Sequence, residues 1–234
     1  MKPPSSAIRA RLDDVRGRIA RAAGRSGRDP GSVVLVGVVK TVPAESIREA
    51  VAAGLADLGE NRVQEAEGHI DSVGRTAARW HLIGHLQRNK VGRAVELFDR
   101  VHGVDSGTLA EALSRRAIAT GRTLPVLVEV NVSGETTKFG VAPQAVNALL
   151  ERVAALPGLS LEGLMTVGAP GTAEEARAGF ARLRALRDEG ERVLGRRLPE
   201  LSMGMSGDFE VAVEEGATMV RVGSALFGAR PGRG

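Results

Sequence analysis

A lysine closes the most apolar run of the chain. Val33-Val34-Leu35-Val36-Gly37-Val38-Val39-Lys40 reads as a strand buried on both faces, with Val34, Val36, Val38 and Lys40 sharing one face by period-two alternation. Pro43 suits the first turn of a helix, Ile47, Ala50 and Val51 follow at helical spacing, and Gly54 ends the segment. Lys40 is thereby an amine at the rim of a core, where a strand hands over to a helix. Only four of the 32 basic residues are lysine (Lys2, Lys40, Lys90 and Lys138), so one at the end of an apolar strand calls for a specific reason. Burial and nearby cations both favour the neutral amine, and a neutral amine attacks aldehydes.

Two late segments read as anion cradles. Ser202-Met203-Gly204-Met205-Ser206-Gly207-Asp208 and Val222-Gly223-Ser224-Ala225 each pass from a strand into a helix through small residues and hydroxyls. Small residues let backbone N–H groups approach an anion, and serine adds a donor. Set next to each other and to Lys40, they favour a phosphate site over plain turns. An amine beside a phosphate pocket suits either pyridoxal phosphate or a sugar-phosphate aldolase substrate. Arg221, which alternation turns inward with Met219, needs an acceptor. A pyridine nitrogen would serve, and so would an inward acid such as Glu60 or Glu129.

The elements that must position these groups alternate between strand-like and helix-like segments. Strands are predicted at 33–40, 56–60, 79–83, 100–104, 125–132, 159–166, 200–205 and 218–222. Helices are predicted at 43–53, 62–73, 87–97, 107–120, 143–155, 172–195 and 207–215. An amphipathic helix at 5–24, with Ser5 and Ser6 as capping candidates and Ile8, Leu12, Val15 and Ile19 at helical spacing, precedes them. The pattern predicts an α/β fold, a single closed (β/α)8 TIM barrel spanning 1–234 with residues 1–30 as an N-terminal helical extension. An open doubly wound sheet is the alternative. In a barrel the strand ends share one face, which gathers Lys40, Asn61, His81, Asp105, Asn131, Thr166 and Ser206, with Arg221 inside the last strand.

Composition excludes several function classes. The 234 residues contain no cysteine and four histidines, which removes disulfides and thiolate metal sites, and no metal site is expected. Neither a signal-like N-terminus nor a membrane-length apolar run is present, so a cytoplasmic protein without a membrane partner is expected. The net charge of +4 and pI near 10.2 invite nucleic acid as a partner. Basic residues are interleaved with acids, however, and with five Phe, one Trp and no Tyr there is little to stack bases on. No nucleic-acid partner is expected.

Taken together, Val38-Val39-Lys40-Thr41, Gly59-Glu60-Asn61-Arg62-Val63-Gln64-Glu65, Trp80-His81-Leu82-Ile83-Gly84 with Leu86-Gln87-Arg88-Asn89-Lys90, Gly163-Leu164-Met165, Leu201 to Ser206 and Val220 to Gly228 form one set. In their order, from about Val33 to Arg230, the chain closely resembles the pyridoxal phosphate homeostasis proteins, the YggS and PROSC family. The resemblance implies a barrel like the N-terminal domain of alanine racemase, with Lys40 as the Schiff-base lysine. It implies further that Ser206, Gly223 and Ser224 hold the phosphate, that Arg221 faces the ring nitrogen, and that Asn61, His81 and Met205 lie near the cofactor. Val39 stands where the family often has serine, and His85 where proline or glutamine is common. Lys138 falls in a loop where the family also tends to carry a lysine, either a secondary acceptor for the aldehyde or a solvated loop residue.

The expected function is a carrier and buffer of pyridoxal 5'-phosphate, with roles in vitamin B6 and amino-acid and keto-acid homeostasis implied by the resemblance. Racemase-like chemistry, decarboxylation or aldol cleavage is the alternative. An arginine cannot protonate the ring nitrogen, and the chain has no tyrosine for the second base used by alanine racemases, nor residues for their additional β domain. No catalytic residue is therefore expected. The partners expected are the cofactor and the apo-enzymes that require it, with the chain as a monomer.

Overall fold

The computed structural model describes residues 6–135, 137–168 and 171–228. Its eight strands are Val34–Val38 (β1), Asp57–Glu60 (β2), Arg79–Leu82 (β3), Arg100–Val104 (β4), Leu124–Glu129 (β5), Leu159–Met165 (β6), Glu200–Ser202 (β7) and Met219–Val222 (β8). All neighbours pair in parallel, and the ladder from β8 back to β1 closes the sheet into the expected barrel, with Val36 opposite Arg221. That ladder excludes the open doubly wound sheet. Between and after the strands lie Ala44–Ala52 (α2), Val63–Val73 (α3), Val91–Leu97 (α4), Gly107–Ala119 (α5), Val146–Ala154 (α6), Ala173–Leu194 (α7), Phe209–Glu214 (α8) and Ser224–Phe227 (α9). The extension is the helix Ser6–Arg25 (α1). Ser5, Lys2 and Arg230 lie outside the described residues.

Several elements are shorter than their apolar runs predict, for local reasons. β1 stops at Val38 because the Val42 N–H donates to the Val39 carbonyl at 2.9 Å, a turn with Lys40 and Thr41 at its centre. The predicted helices at 87–97 and 143–155 each open with a 3₁₀ turn, Arg88–Lys90 and Pro143–Ala145, before the α-helix begins. α7 starts where predicted, because Thr172 and Glu175 form a capping box.

Two different cores result. The apolar one is the ring between strands and helices, where Trp80, Phe98, Phe180, Phe209, Leu58 and Leu113 are fully buried. Inside the barrel, Val36 and Met219 are accompanied by buried Asp57, His81, His102, Ser202 and Arg221. Gly163 shows how tightly the wall is drawn, since a Cβ there would stand 1.9 Å from the Glu200 carbonyl oxygen.

α1 completes the outer ring by packing on α2, α8 and α9. Ile8, Leu12, Val15, Ile19, Ala22 and Ala23 are buried along one stripe, and Arg18 lies 4.5 Å above the Phe209 ring while pairing with Glu210. The stripe, more than the surface charges, should hold the helix. Leu12→Ala is expected to lower the urea unfolding free energy by about 2–5 kcal/mol. Arg25→Ala, which breaks the half-exposed pair with Glu214, should cost less than about 1 kcal/mol. Equal losses in the two variants would show that α1 is held by charge.

Candidate functional site

Barrel closure brings Lys40, at the exit of the first strand, against the corner after the last. Lys40 lines a cavity of about 110 Å³ together with Val38, Pro43, Ser46, Gly223 and Ser224. Its neighbour Thr41 has φ of 62°, the only positive φ among the described non-glycine residues. A β-branched residue is strained in the left-handed region, and such strain collects at functional sites.

The two cradles meet through one oxygen. The Ser206 hydroxyl oxygen accepts the N–H groups of Gly223 at 3.1 Å and Ala225 at 3.3 Å. Two backbone donors converging on a single oxygen form an anion seat, and here the hydroxyl stands where an anionic oxygen would sit. Asp208 accepts the Met205 N–H at 2.5 Å, which folds the first cradle back on itself. The Met205 side chain is exposed.

Below this corner Arg221 is buried, donating from Nη1 to Ser202 Oγ at 2.8 Å and from Nη2 to the Thr166 carbonyl at 2.7 Å. It forms no ion pair among the described residues, so neither acid considered from sequence is its direct partner. Glu60 faces outward and pairs with His69 of α3, while Glu129 acts on Arg221 only through space. Burial lowers the Arg221 pKa to about 10, with Glu129 and Asp208 opposing the shift, so the guanidinium stays charged at neutral pH. Burial, reinforced by Asp105 and opposed by Arg221, raises Glu129 to about 7.

Asn61 and His81 occupy different places. Asn61 lines a second cavity of about 560 Å³ with Arg62, Gln64, His85, Lys90 and Phe139, and its Oδ1 is buried without a hydrogen-bond partner. Gly84 permits this packing, because a Cβ there would lie 2.5 Å from the Asn61 carbonyl oxygen. The His85 ring stacks on Phe139 at 3.9 Å and approaches Asp105 at 3.2 Å. Lys138 donates to Glu135 at 2.9 Å and to the Gly168 carbonyl at 3.2 Å, and lines neither cavity. Val39 is buried in the outer core. His81 lies inside the barrel, with Nε2 2.9 Å from Asp57 and Nδ1 3.0 Å from His102.

Sequence patterning does not single out Asp57 or His102, and it marks Ser202 only as the first residue of a cradle. The signal was present: Asp57 stands two residues before Gly59, His102 two after Arg100, and Ser202 two after Glu200, each at a position that alternation can turn inward.

The family model for "Alanine racemase, N-terminal domain" matches residues 11–231. A pyridoxal phosphate homeostasis protein of Pseudomonas aeruginosa is 48% identical over 227 residues, covering 96% of each chain. This chain is a member of the pyridoxal phosphate homeostasis family. Among solved structures of that kind, PipY of Synechococcus elongatus with PLP bound is 41% identical, with a TM-score of 0.84 over 94% of this chain and 100% of its own. Alanine racemase from Corynebacterium glutamicum, at 17% identity and TM-score 0.69, shares the fold, and the match covers 63% of that longer enzyme. Among the described residues no helix is long and apolar enough to cross a membrane, and no group of three or more His, Cys, Asp or Glu could hold a metal ion.

The barrel interior and the turn beside the Lys40 cavity carry two measurable signatures. Glu129 has a folded pKa above its unfolded value, so its contribution to stability is full below the ordinary value of 4.5 and lost as pH rises through about 7. Between pH 5 and pH 8 the wild type should therefore lose about 2 kcal/mol more than Glu129→Gln in urea unfolding. The depressed His102 acts oppositely, removing stability as pH falls below 6.5, but is common to both proteins and cancels. Thr41→Gly relieves the left-handed strain and should leave the unfolding free energy equal or up to about 1 kcal/mol higher. A loss of about 1 kcal/mol, as for glycine in a regular element, would contradict the turn geometry.

Proposed function

We propose that this chain binds pyridoxal 5'-phosphate as a Schiff base on Lys40 and serves as a carrier and buffer of the cofactor. The observation that carries the reading is that Lys40 shares a cavity with a corner whose backbone donors already converge on one oxygen. The residues present fit the group. Gly223, Ala225 and the hydroxyls of Ser206 and Ser224 offer donors for phosphate, and Lys40 offers the amine for the aldehyde. Two of the five guanidinium N–H donors of Arg221 are taken by Ser202 and Thr166, and among the described residues the other three have no partner for which a ring nitrogen would compete. Asn61 and Met205 are proposed to flank the ring, and His81 to act from behind Arg221. The bound cofactor supplies a reactive aldehyde and an electron-withdrawing ring.

The arrangement favours holding over turnover. With a pKa near 10, Arg221 donates a hydrogen bond but gives up no proton at neutral pH, so it leaves a pyridine uncharged and the ring a weak electron sink. The chain also lacks any tyrosine. PipY, a close structural likeness, contains PLP, and the Pseudomonas relative is named for homeostasis of that compound. In this reading the protein works in the cytoplasm as a monomer and hands the cofactor to apo-enzymes, in support of vitamin B6 and amino-acid and keto-acid balance.

The test is to load the purified protein with pyridoxal phosphate, reduce with borohydride, and locate the adduct by peptide mass spectrometry. The adduct is expected on Lys40, and Lys40→Ala should lose the reducible chromophore. A stable adduct confined to Lys138, or one that survives in Lys40→Ala, would overturn the assignment.

A further inference from the structure

A continuous chain of polar contacts runs through the barrel interior. Arg79 donates to Asp57 from Nε and Nη2, both at 2.7 Å. Asp57 Oδ1 meets His81 Nε2 at 2.9 Å, His81 Nδ1 meets His102 Nε2 at 3.0 Å, and His102 Nδ1 meets Ser202 Oγ at 2.9 Å. Ser202 Oγ then receives Arg221 Nη1 at 2.8 Å. Five strands contribute: β2, β3, β4, β7 and β8. The chain runs from the N-terminal face, where Asp57 and Arg79 line a cavity of about 420 Å³, to the guanidinium beneath the candidate site.

With both histidine rings neutral, its protons have one self-consistent order. Asp57 is held ionised: burial alone would raise its pKa, but hydrogen bonds from His81 and Arg79 more than offset that. A carboxylate only accepts, so His81 carries its proton on Nε2 and presents a bare Nδ1. His102 must then donate from Nε2, which leaves its own Nδ1 to accept from the Ser202 hydroxyl. With its proton committed to His102, Ser202 offers Arg221 a lone pair. Burial holds His102 neutral, as this order requires. With both rings neutral, reversing any link sets two protons or two lone pairs against each other.

We propose that Asp57, His81, His102 and Ser202 are positioning residues that orient the Arg221 guanidinium, and through it tune the ring of the bound cofactor. The inference rests on the cofactor reading above for its second half only. The first half concerns the protein alone: a carboxylate at one end of the barrel dictates, through two histidine tautomers and a hydroxyl rotor, which atom Arg221 may bind at the other. Other charged groups line the interior without joining the chain. Arg100 is paired with Glu162 at 2.5 Å and Glu200 at 3.6 Å, and Glu129 has a buried Oε2 with no partner.

Two measurements test it. Ring ¹⁵N shifts of the full chain without cofactor, labelled at its four histidines and assigned with single His→Gln variants, should show His81 and His102 as neutral Nε2–H tautomers at pH 7. A proton on Nδ1 of either ring overturns the order. With pyridoxal phosphate bound, Asp57→Ala and Ser202→Ala should each displace the absorption maximum and its pH midpoint and weaken binding about three- to tenfold. Asp57→Asn, which keeps an acceptor oxygen for His81, should restore the wild-type spectrum. Where Asp57→Ala fails to fold, Ser202→Ala carries the test. Unchanged spectra in the folded variants, with the borohydride adduct still on Lys40, would sink this proposal alone. An adduct missing from Lys40 in the wild type would sink the cofactor reading and leave the tautomer result standing.

Discussion

A guanidinium held inside a closed barrel is the constraint to which the rest of the interior answers. Desolvating a cation is costly unless hydrogen bonds and opposite charge compensate it, and Arg221 receives both. Ser202 and the Thr166 carbonyl accept its protons, and Glu129 and Asp208 supply negative potential without a contact. Barrel interiors are usually filled by branched apolar side chains. Here that space holds acids, bases and hydroxyls, so its contribution lies in orientation more than in hydrophobic stabilisation. Stability is carried by the outer ring, where the large fully buried side chains lie.

The fold was legible because two periods are written separately along the chain. Continuous β-branched runs such as Val33 to Val39 mark strands covered on both sides, and stripes such as Ile8, Leu12, Val15 and Ile19 mark helices laid over them. The ends were less legible. Val39 continues the apolar run, yet a hydrogen bond from Val42 bends the chain there, and composition does not register such a bond. Lys40, Ser206, Gly223 and Arg221 stand out in the sequence because each departs from its local pattern. Asp57 and His102 are less legible because they lie below the mouth, Asp57 at the start of β2 and His102 in the middle of β4, where alternation alone turns them inward. That Arg221 needed an acceptor was readable; which group would provide it was not, since Glu60 and Ser202 are distinguished only by the direction in which a particular strand residue points.

The site exists only when the sheet is closed. Lys40 comes from the first strand and its opposing corner from the last, so neither half of the chain contains a site. A ligand bridging the two would engage the native seam and not the unfolded chain, and would stabilise the whole barrel in proportion to its affinity. The strained turn at Thr41 lies on this seam, which fits a segment whose conformation is imposed by closure.

The serine that caps the anion seat has a bearing on departure as well as arrival. Backbone donors stripped of an acceptor in a partly desolvated corner would resist losing whatever they held. If an anion binds here as proposed, its departure would leave no bare donors behind, because the Ser206 oxygen accepts the amides of Gly223 and Ala225. Unloading would then be a swap of one oxygen for another, which would flatten the energetic difference between full and empty protein and suit the proposed carrier.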